Sequence, residues 1–596
     1  MNVFKKLILG LVVLQMVFAP AIASADMEDS IKLQKNMKTI QQSGATFKKV
    51  SAAVSDIRKD TVKDDKTDVT AVSTQETLKP PVRPGDKETD PKVWEKYYKD
   101  YLDYIKKLDA SKQQAAWEKL GQDLLELSKE HPERISASTL NTVMSTLTAE
   151  LKKCYESDSK IDFSKVANSI VSAALNVVQS GSFWKMDEAT QIAVKDHFTQ
   201  LAIELSWRSA NNDKYKNTYN KIGEFYGTLM DKGSINVKAG AFNSLMHLFR
   251  IDSWHSNQGN GAVAGQILNK AIETAGGLKA LINSFMSGID NKSLSDTVRG
   301  NIAVALANVM YHRGSLEKES GYDITDASFD NMVNKMVAFI NGINDGSIKA
   351  DNARGALLHL IGGTLNQMIA GGKTDTAVNK KLMDSFCTMA QNCLNDSSLG
   401  MQTAAINVLT SLLNNSANKK DSALVERFTK ILLNSKFDVE EYIKKAHLAM
   451  GSAKKADSAA YIGAAMANIL KLNLEKGTKK VTGTDVALAL DAIKSWTTKT
   501  NLNKMRNMYV QNLLFKAVTA LAKQVYQKGS DIAKNAALGE ALVKIYSQVP
   551  GLKDSLVGSN ATASARELIS QLKANGYTDL ANRIEKIFTN RTTTSS

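Results

Sequence analysis

From Val93 to about residue 590 the chain repeats one texture. Apolar residues recur at i, i+3, i+4 and i+7 in segments of roughly 14 to 25 residues, separated by Gly, Asn, Asp and Ser clusters, which is the signature of amphipathic helices joined by short turns. Trp94, Tyr97, Tyr101, Ile105 and Leu108 mark one such stripe, and Tyr215, Tyr219, Ile222, Tyr226 and Leu229 another. Alternating strand patterns and Asn-Gly hairpins framed by β-branched runs are absent. Prolines stop at Pro132 and resume at Pro550, so 417 consecutive residues contain none. About 20 helices fit between residues 93 and 590, and the fold class is all-α.

The flanking sequence differs. Met1 to Lys6 carries two lysines, Leu7 to Ala19 is almost wholly apolar, and Ala23-Ser24-Ala25 supplies small residues suited to signal peptidase. Gln15 and Pro20 interrupt the apolar run, and no later run reaches the ~18 residues of a membrane span. Residues 1–25 therefore read as a removed secretion signal of bacterial type, with the mature chain starting at Asp26 and working in the periplasm or the medium. Residues 26–92 are rich in Lys, Asp, Thr and Ser and close with Lys79-Pro80-Pro81-Val82-Arg83-Pro84-Gly85, which reads as a disordered tether. Residues 93–418 form a near-neutral helical body, and 419–596 a basic helical region that either follows a boundary near 418 or continues the body.

An internal register appears where Asp or Asn stands four residues before Gly at a helix start: Asn236/Gly240, Asp296/Gly300, Asp351/Gly355 and Asp396/Gly400. The acid or amide suits an N-cap, and the glycine lets a neighbouring helix approach. Apolar residues follow at Met246, Leu306, Ile361 and Ile406. Asp296 with Arg299, and Asp351 with Arg354, resemble the ladder residues at the start of the inner helix in HEAT repeats. The chain is thus similar to HEAT/armadillo-like α-solenoids over roughly residues 230–415. That resemblance implies an irregular solenoid of antiparallel helix pairs with a large concave binding surface. The intervals are uneven, and the proline frequent in the first HEAT helix is missing. An α/α toroid is the alternative architecture.

Charge changes the picture only at the end of the chain. The formal net charge is +15, and residues 419–596 hold 28 basic against 15 acidic residues. Lysine doublets crowd its start at Lys419/Lys420, Lys444/Lys445, Lys454/Lys455 and Lys479/Lys480. Such a surface raises the local concentration of an anionic partner in a salt-dependent way. The expected partner is a protein, or an anionic envelope polymer or lipid surface. No nucleic-acid-binding module is recognisable.

Candidate chemistry is sparse. His247, Asp252 and His255 form the nearest cluster of ligand-type residues, provided a helix ends near Asp252; the preferred reading is a helix C-terminus with dipole-favoured histidines and Trp254 packed over it. Gly371-Gly372-Lys373-Thr374 lacks the phosphate-loop glycine, since Gln367 stands there. Gly259-Asn260-Gly261 with Gly265 reads as an interhelical loop. Cys154, Cys387 and Cys393 have no zinc-type spacing; Cys387 and Cys393, six apart, point about 240° from each other on a helix and are expected to be buried, inert thiols. No catalytic residue, metal site or cofactor is expected. The reading is a non-enzymatic extracytoplasmic scaffold. The alternatives are a secreted toroidal polysaccharide hydrolase or lyase, and a structural envelope protein without a discrete ligand.

Overall fold

The computed structural model describes residues 78–157, 161–208, 215–255, 261–453, 455–478, 480–504, 508–550, 552 and 555–589. The proposed signal and most of the proposed tether lie outside them. Helices begin with α1 (Pro91–Lys107), α2 (Ala110–Glu130), α3 (Ala137–Ser157), α4 (Ser164–Gln179), α5 (Glu188–Arg208), α6 (Lys216–Lys232), α7 (Ile235–His255) and α8 (Gly261–Thr274). They continue with α9 (Leu278–Asp290), α10 (Asp296–Tyr311), α11 (Arg313–Ser320), α12 (Asp326–Asn344), α13 (Asp351–Ala370), α14 (Ala377–Leu394), α15 (Leu399–Asn418) and α16 (Ser422–Leu432). The last are α17 (Val439–Ser452), α18 (Ala456–Glu475), α19 (Gly483–Trp496), α20 (Lys499–Lys504), α21 (Met508–Val525), α22 (Ala536–Ser547), α23 (Ser555–Ala574) and α24 (Thr578–Thr589). There is no strand among the described residues.

Neighbour relations arrange these helices in two rows. One row is continuous: α1, α3, α5, α7, α10, α13, α15, α18, α21 and α23 each pack against the next. The covering row comes in three runs, α2–α4–α6–α8–α11, α9–α12–α14–α16 and α17–α19–α22–α24. Three units carry two covering helices, α8 with α9, α11 with α12 and α16 with α17, and the runs change over there. The described residues form an all-α solenoid of ten units, the fold class expected. Packing crosses residue 418 without a break, because α15 contacts α18 as α13 contacts α15.

Side-chain pairs show that successive row helices run parallel. Glu188 meets Asn236, and Lys195 meets Ser244 further along both helices; Asn352 meets Asn301, and Gln367 reaches the Tyr311 carbonyl. Contacts between regular units join residues 41–53 apart, as between Asn344 and Ser385, Gln266 and Asn220, or Lys221 and Asn168. The extra helix α9 stretches one offset to 65, between Asn308 and Asn243. This is why the sequence intervals look irregular.

The proline-rich approach to α1 is tied down at its end. The Arg83 guanidinium lies over the Trp94 ring, 5.4 Å from its centroid, Trp94 Nε1 donates to the Glu88 carbonyl at 3.0 Å, and Arg134 donates to the Asp86 carbonyl at 2.7 Å. The helix then starts at Pro91, where a missing N–H costs nothing, and Asp90 caps the Lys92 amide.

Candidate functional site

The expected large concave surface is narrow in the middle of the chain. Along α7, every residue from Ala239 to Phe249 except His247 is buried; in α10 the same holds for 302–310, and in α18 for 458–470. An inner helix loses two faces to its row neighbours and a third to the covering helices. The fourth closes where α13 and α18 meet across α15: Tyr461 hydroxyl and His359 Nε2 lie 3.0 Å apart.

Asparagines occupy this crowded row. Asn243 donates to the Asn301 carbonyl at 3.0 Å, and Asn308, seven residues on, donates back to Asn243 Oδ1 at 3.0 Å. Asn407, Tyr461 and Asn468 repeat the arrangement, with Asn407 donating to the Tyr461 carbonyl at 2.9 Å and Asn468 to Asn407 Oδ1 at 3.2 Å. Each clasp fixes the axial register of two inner helices and satisfies buried amides that would otherwise cost about 1–3 kcal/mol each.

The predicted ladder residues bridge units. Asp296 Oδ2 accepts the Lys349 amide at 2.8 Å and pairs with Arg299 at 3.3 Å. Arg354 pairs with Asp351 at 3.5 Å and reaches Asp396, in the next unit, at 3.0 Å. The expected capping role is corrected: Ser295 caps α10 and Ser398 caps α15, while Asp296 and Asp351 are the first residues inside their helices. The expected close approach is present at Gly300, where a Cβ would sit 3.1 Å from the Ala353 Cβ.

Sequence reasoning missed a buried charged pair. Lys195 and Asp196 on α5 are each 1 % exposed. The Lys195 ammonium donates to Ser244 Oγ of α7 at 3.0 Å and lies 2.5 Å from Asp196 Oδ1, while neither Asp196 oxygen accepts an aligned hydrogen bond among the described residues. The available signal was an adjacent Lys-Asp inside an otherwise apolar stretch.

The lysine doublets separate. Lys444 and Lys445 on α17 are matched one turn away by Glu440 and Glu441, at 2.5 and 2.6 Å. Lys455 stands at the N-terminal end of α18; Lys454 and Lys479 lie outside the described residues. Lys419, Lys420 and Lys480 follow the C-terminal ends of α15 and α18. Those ends are level. Asn415 of α15 bonds Asn366 of α13, each within four residues of its helix end; Asn468 bonds Asn407, seven and eleven residues short of theirs. Differences of at most four residues amount to about 6 Å.

The turns on this edge share a backbone. A residue with positive φ follows α13, α15, α18 and α23, at Gly372, Lys420, Gly477 and Gly576, and the next amide closes back to Met368, Ser416, Asn473 and Leu572 at 2.9, 2.9, 3.0 and 2.9 Å. Three of these turns use glycine, as a left-handed helix end requires. Lys420, at φ 59°, is the exception, and a Cβ there costs about 1–2 kcal/mol.

The helix end that the histidine cluster needs is not at Asp252. The α7 backbone continues through Asp252 to His255, while the side chains of Asp252 and His255 lie outside the described residues. No group of three or more potential metal ligands comes together among the described residues. Cys387 and Cys393 are buried free thiols, as expected, and burial pushes both up to about 11 although Arg427 and Arg354 pull the other way; the Cys154 side chain is outside the described residues. A thiol is reactive as its thiolate, so iodoacetamide at pH 8 is expected to label Cys387 and Cys393 at least a hundredfold more slowly than an ordinary cysteine. Site-resolved mass spectrometry, with and without denaturant, checks this; native rates close to denatured ones refute it.

No family model and no curated protein matches the sequence. Among solved structures, a "circular tandem repeat protein with novel repeat topology" is similar at 12 % identity over 80 % of this chain and 95 % of its own, with TM-score 0.23. The karyopherin Kap121p bound to the extreme C-terminus of the phosphatase Cdc14p gives 12 % identity, 83 % of this chain and TM-score 0.26, and this chain spans about half (49 %) of its length. The RNA polymerase I initiation factor Rrn3 gives 13 % identity, 84 % and 94 % coverage, and TM-score 0.20.

Proposed function

We propose that the protein is a non-enzymatic, extracytoplasmic helical-repeat scaffold that binds a protein or an anionic envelope polymer. The observation that carries the reading is the ten-unit double row itself. Its units bury their apolar stripes only against neighbours, so the molecule presents long edges of repeated turns, a geometry suited to extended partners. The lysine excess of residues 419–596 adds the anionic preference, and the pattern of residues 1–25 adds the location. No helix among the described residues is long and apolar enough to cross a membrane.

The test is expression of the full chain in a bacterial host, N-terminal sequencing of the exported form, and retention of the protein on isolated membrane, cell-wall and envelope-protein fractions across a salt series. A mature start at Asp26 and salt-sensitive retention on at least one fraction are the expected results. An unprocessed chain in the cytoplasm refutes the location, and absence of retention at low salt refutes the scaffold role.

A further inference from the structure

We infer that the edge built by the turns after α13, α15, α18 and α21 is a binding track for a linear phosphate-bearing polyanion, centred on Lys420; this rests on the scaffold reading above. Lys373, Lys419, Lys420, Lys476, Lys480 and Lys528 are all exposed on those four turns; Lys476 lies 3.9 Å from Glu475, and the Lys480 ammonium donates to the Asn434 carbonyl at 3.1 Å, which leaves Lys373, Lys419, Lys420 and Lys528 as the core of the line. The end of α21 is level with that of α18, because Gly463 and Leu514, twelve and eleven residues short of the two ends, face each other; adjacent helices pack 8–10 Å apart, so level ends set the lysines in single file over about 30 Å.

Acids on the same turns are already engaged. Asp375 pairs with Lys380 at 3.6 Å and Asp531 with Lys534 at 2.7 Å, Glu475 is paired with Lys471 and with Lys476, and Asp421 caps the Leu424 amide at 3.0 Å. Lys373, Lys419, Lys420 and Lys528 make no ion pair among the described residues. A lysine near a helix C-terminus is favoured by the helix dipole alone. Lys419 already serves the dipole of α15, however, and the left-handed position of Lys420 is filled by glycine in the three turns of identical bonding. Strain kept at one position of a repeated turn points to a use for its side chain.

A line one turn wide suits a linear polymer better than a membrane. Among the described residues the exposed large hydrophobic ones are Leu78, Val82, Val93 and Leu448, so the described part of these turns offers no apolar anchor for a bilayer.

The experiment compares the full chain with Lys419→Ser/Lys420→Gly and, as a control removing the same charge, Lys444→Ser/Lys445→Ser. Probes are long-chain inorganic polyphosphate, free inorganic phosphate and phosphatidylglycerol vesicles. The edge variant, whose Tm should be unchanged or higher, is expected to bind polyphosphate at least tenfold more weakly, with a log–log salt slope lower by about 1.4 for two lost contacts. The control should change binding less than twofold, and free phosphate should compete only at far higher concentration. Equal losses in both variants, full competition by free phosphate, or tighter binding to vesicles than to polyphosphate overturns the assignment. An unsubstituted chain that ignores polyphosphate but is retained on envelope fractions refutes this track and leaves the scaffold role standing; retention on neither refutes both.

Discussion

Gly227→Ala is expected to destabilise the molecule by about 2–3 kcal/mol, although an added methyl stabilises an open helical glycine by about 1 kcal/mol. Gly223 and Gly227 lie one turn apart on α6, where α8 crosses. A Cβ on Gly227 would fall 2.7 Å from the Ala271 carbonyl oxygen and also overlap the Thr274 Cβ; one on Gly223 would fall 2.8 Å from the Ile267 carbonyl oxygen. Backbone cannot swing aside as a side chain can, so the helices must separate and the contacts between α6 and α8 loosen. Gly558 on α23 has nothing within 4 Å of its Cβ position, and Gly558→Ala should raise stability by about 1 kcal/mol. A repeat array unfolds in parts, so amide hydrogen exchange in α6 and α8 is the decisive readout. Unchanged protection in Gly227→Ala would disprove the close crossing.

The second large effect concerns the buried pair. Lys195→Ala leaves the buried Asp196 carboxylate without the ion-pair partner it has among the described residues, at an expected cost of about 3–5 kcal/mol. Lys195→Met with Asp196→Leu removes both charges at similar volume and is expected to be neutral or stabilising by up to about 4 kcal/mol. Denaturant unfolding of the two variants separates the possibilities. Equal destabilisation by both would mean that the pair holds α5 to α7 through its hydrogen bond to Ser244 and its packing, with little contribution from charge balance.

Helix identity was legible because amphipathic spacing is a local property. Trp94, Tyr97, Tyr101 and Ile105 are buried on α1, and Tyr219, Ile222, Tyr226 and Leu229 on α6, as their periodicity required. The four glycines of the register fall near the starts of α7, α10, α13 and α15, consecutive members of the inner row. The register fades elsewhere because α5, α18 and α21 open with Glu188, Ala456 and Met508 and are aligned by other contacts. Period was hidden by the second covering helices α9, α12 and α17, which change the spacing without changing which inner helices touch. The asparagine clasps were invisible for a different reason. A single amide in an apolar helix has no partner in its own segment, and its meaning appears only when a residue about 60 positions away is brought beside it. The lysine doublets show the converse: sequence proximity grouped Lys444/Lys445 with Lys419/Lys420, whereas α17 neutralises the first pair internally and the turn after α15 exposes the second.

The single-file order of the units also governs how the chain folds. Hydrogen-bonded and ionic contacts between neighbouring units join residues 41 to 65 apart, as in Asn344 with Ser385 and Asn308 with Asn243, and the widest hydrogen-bonded separation among the described residues is 102, between His359 and Tyr461. Low contact order favours fast condensation, and nearest-neighbour stabilisation lets it propagate from any completed pair of units. A chain emerging end-first from a ribosome or a translocation pore therefore needs only about 50 further residues to seal each unit, so the apolar length exposed at any moment stays short however long the solenoid becomes.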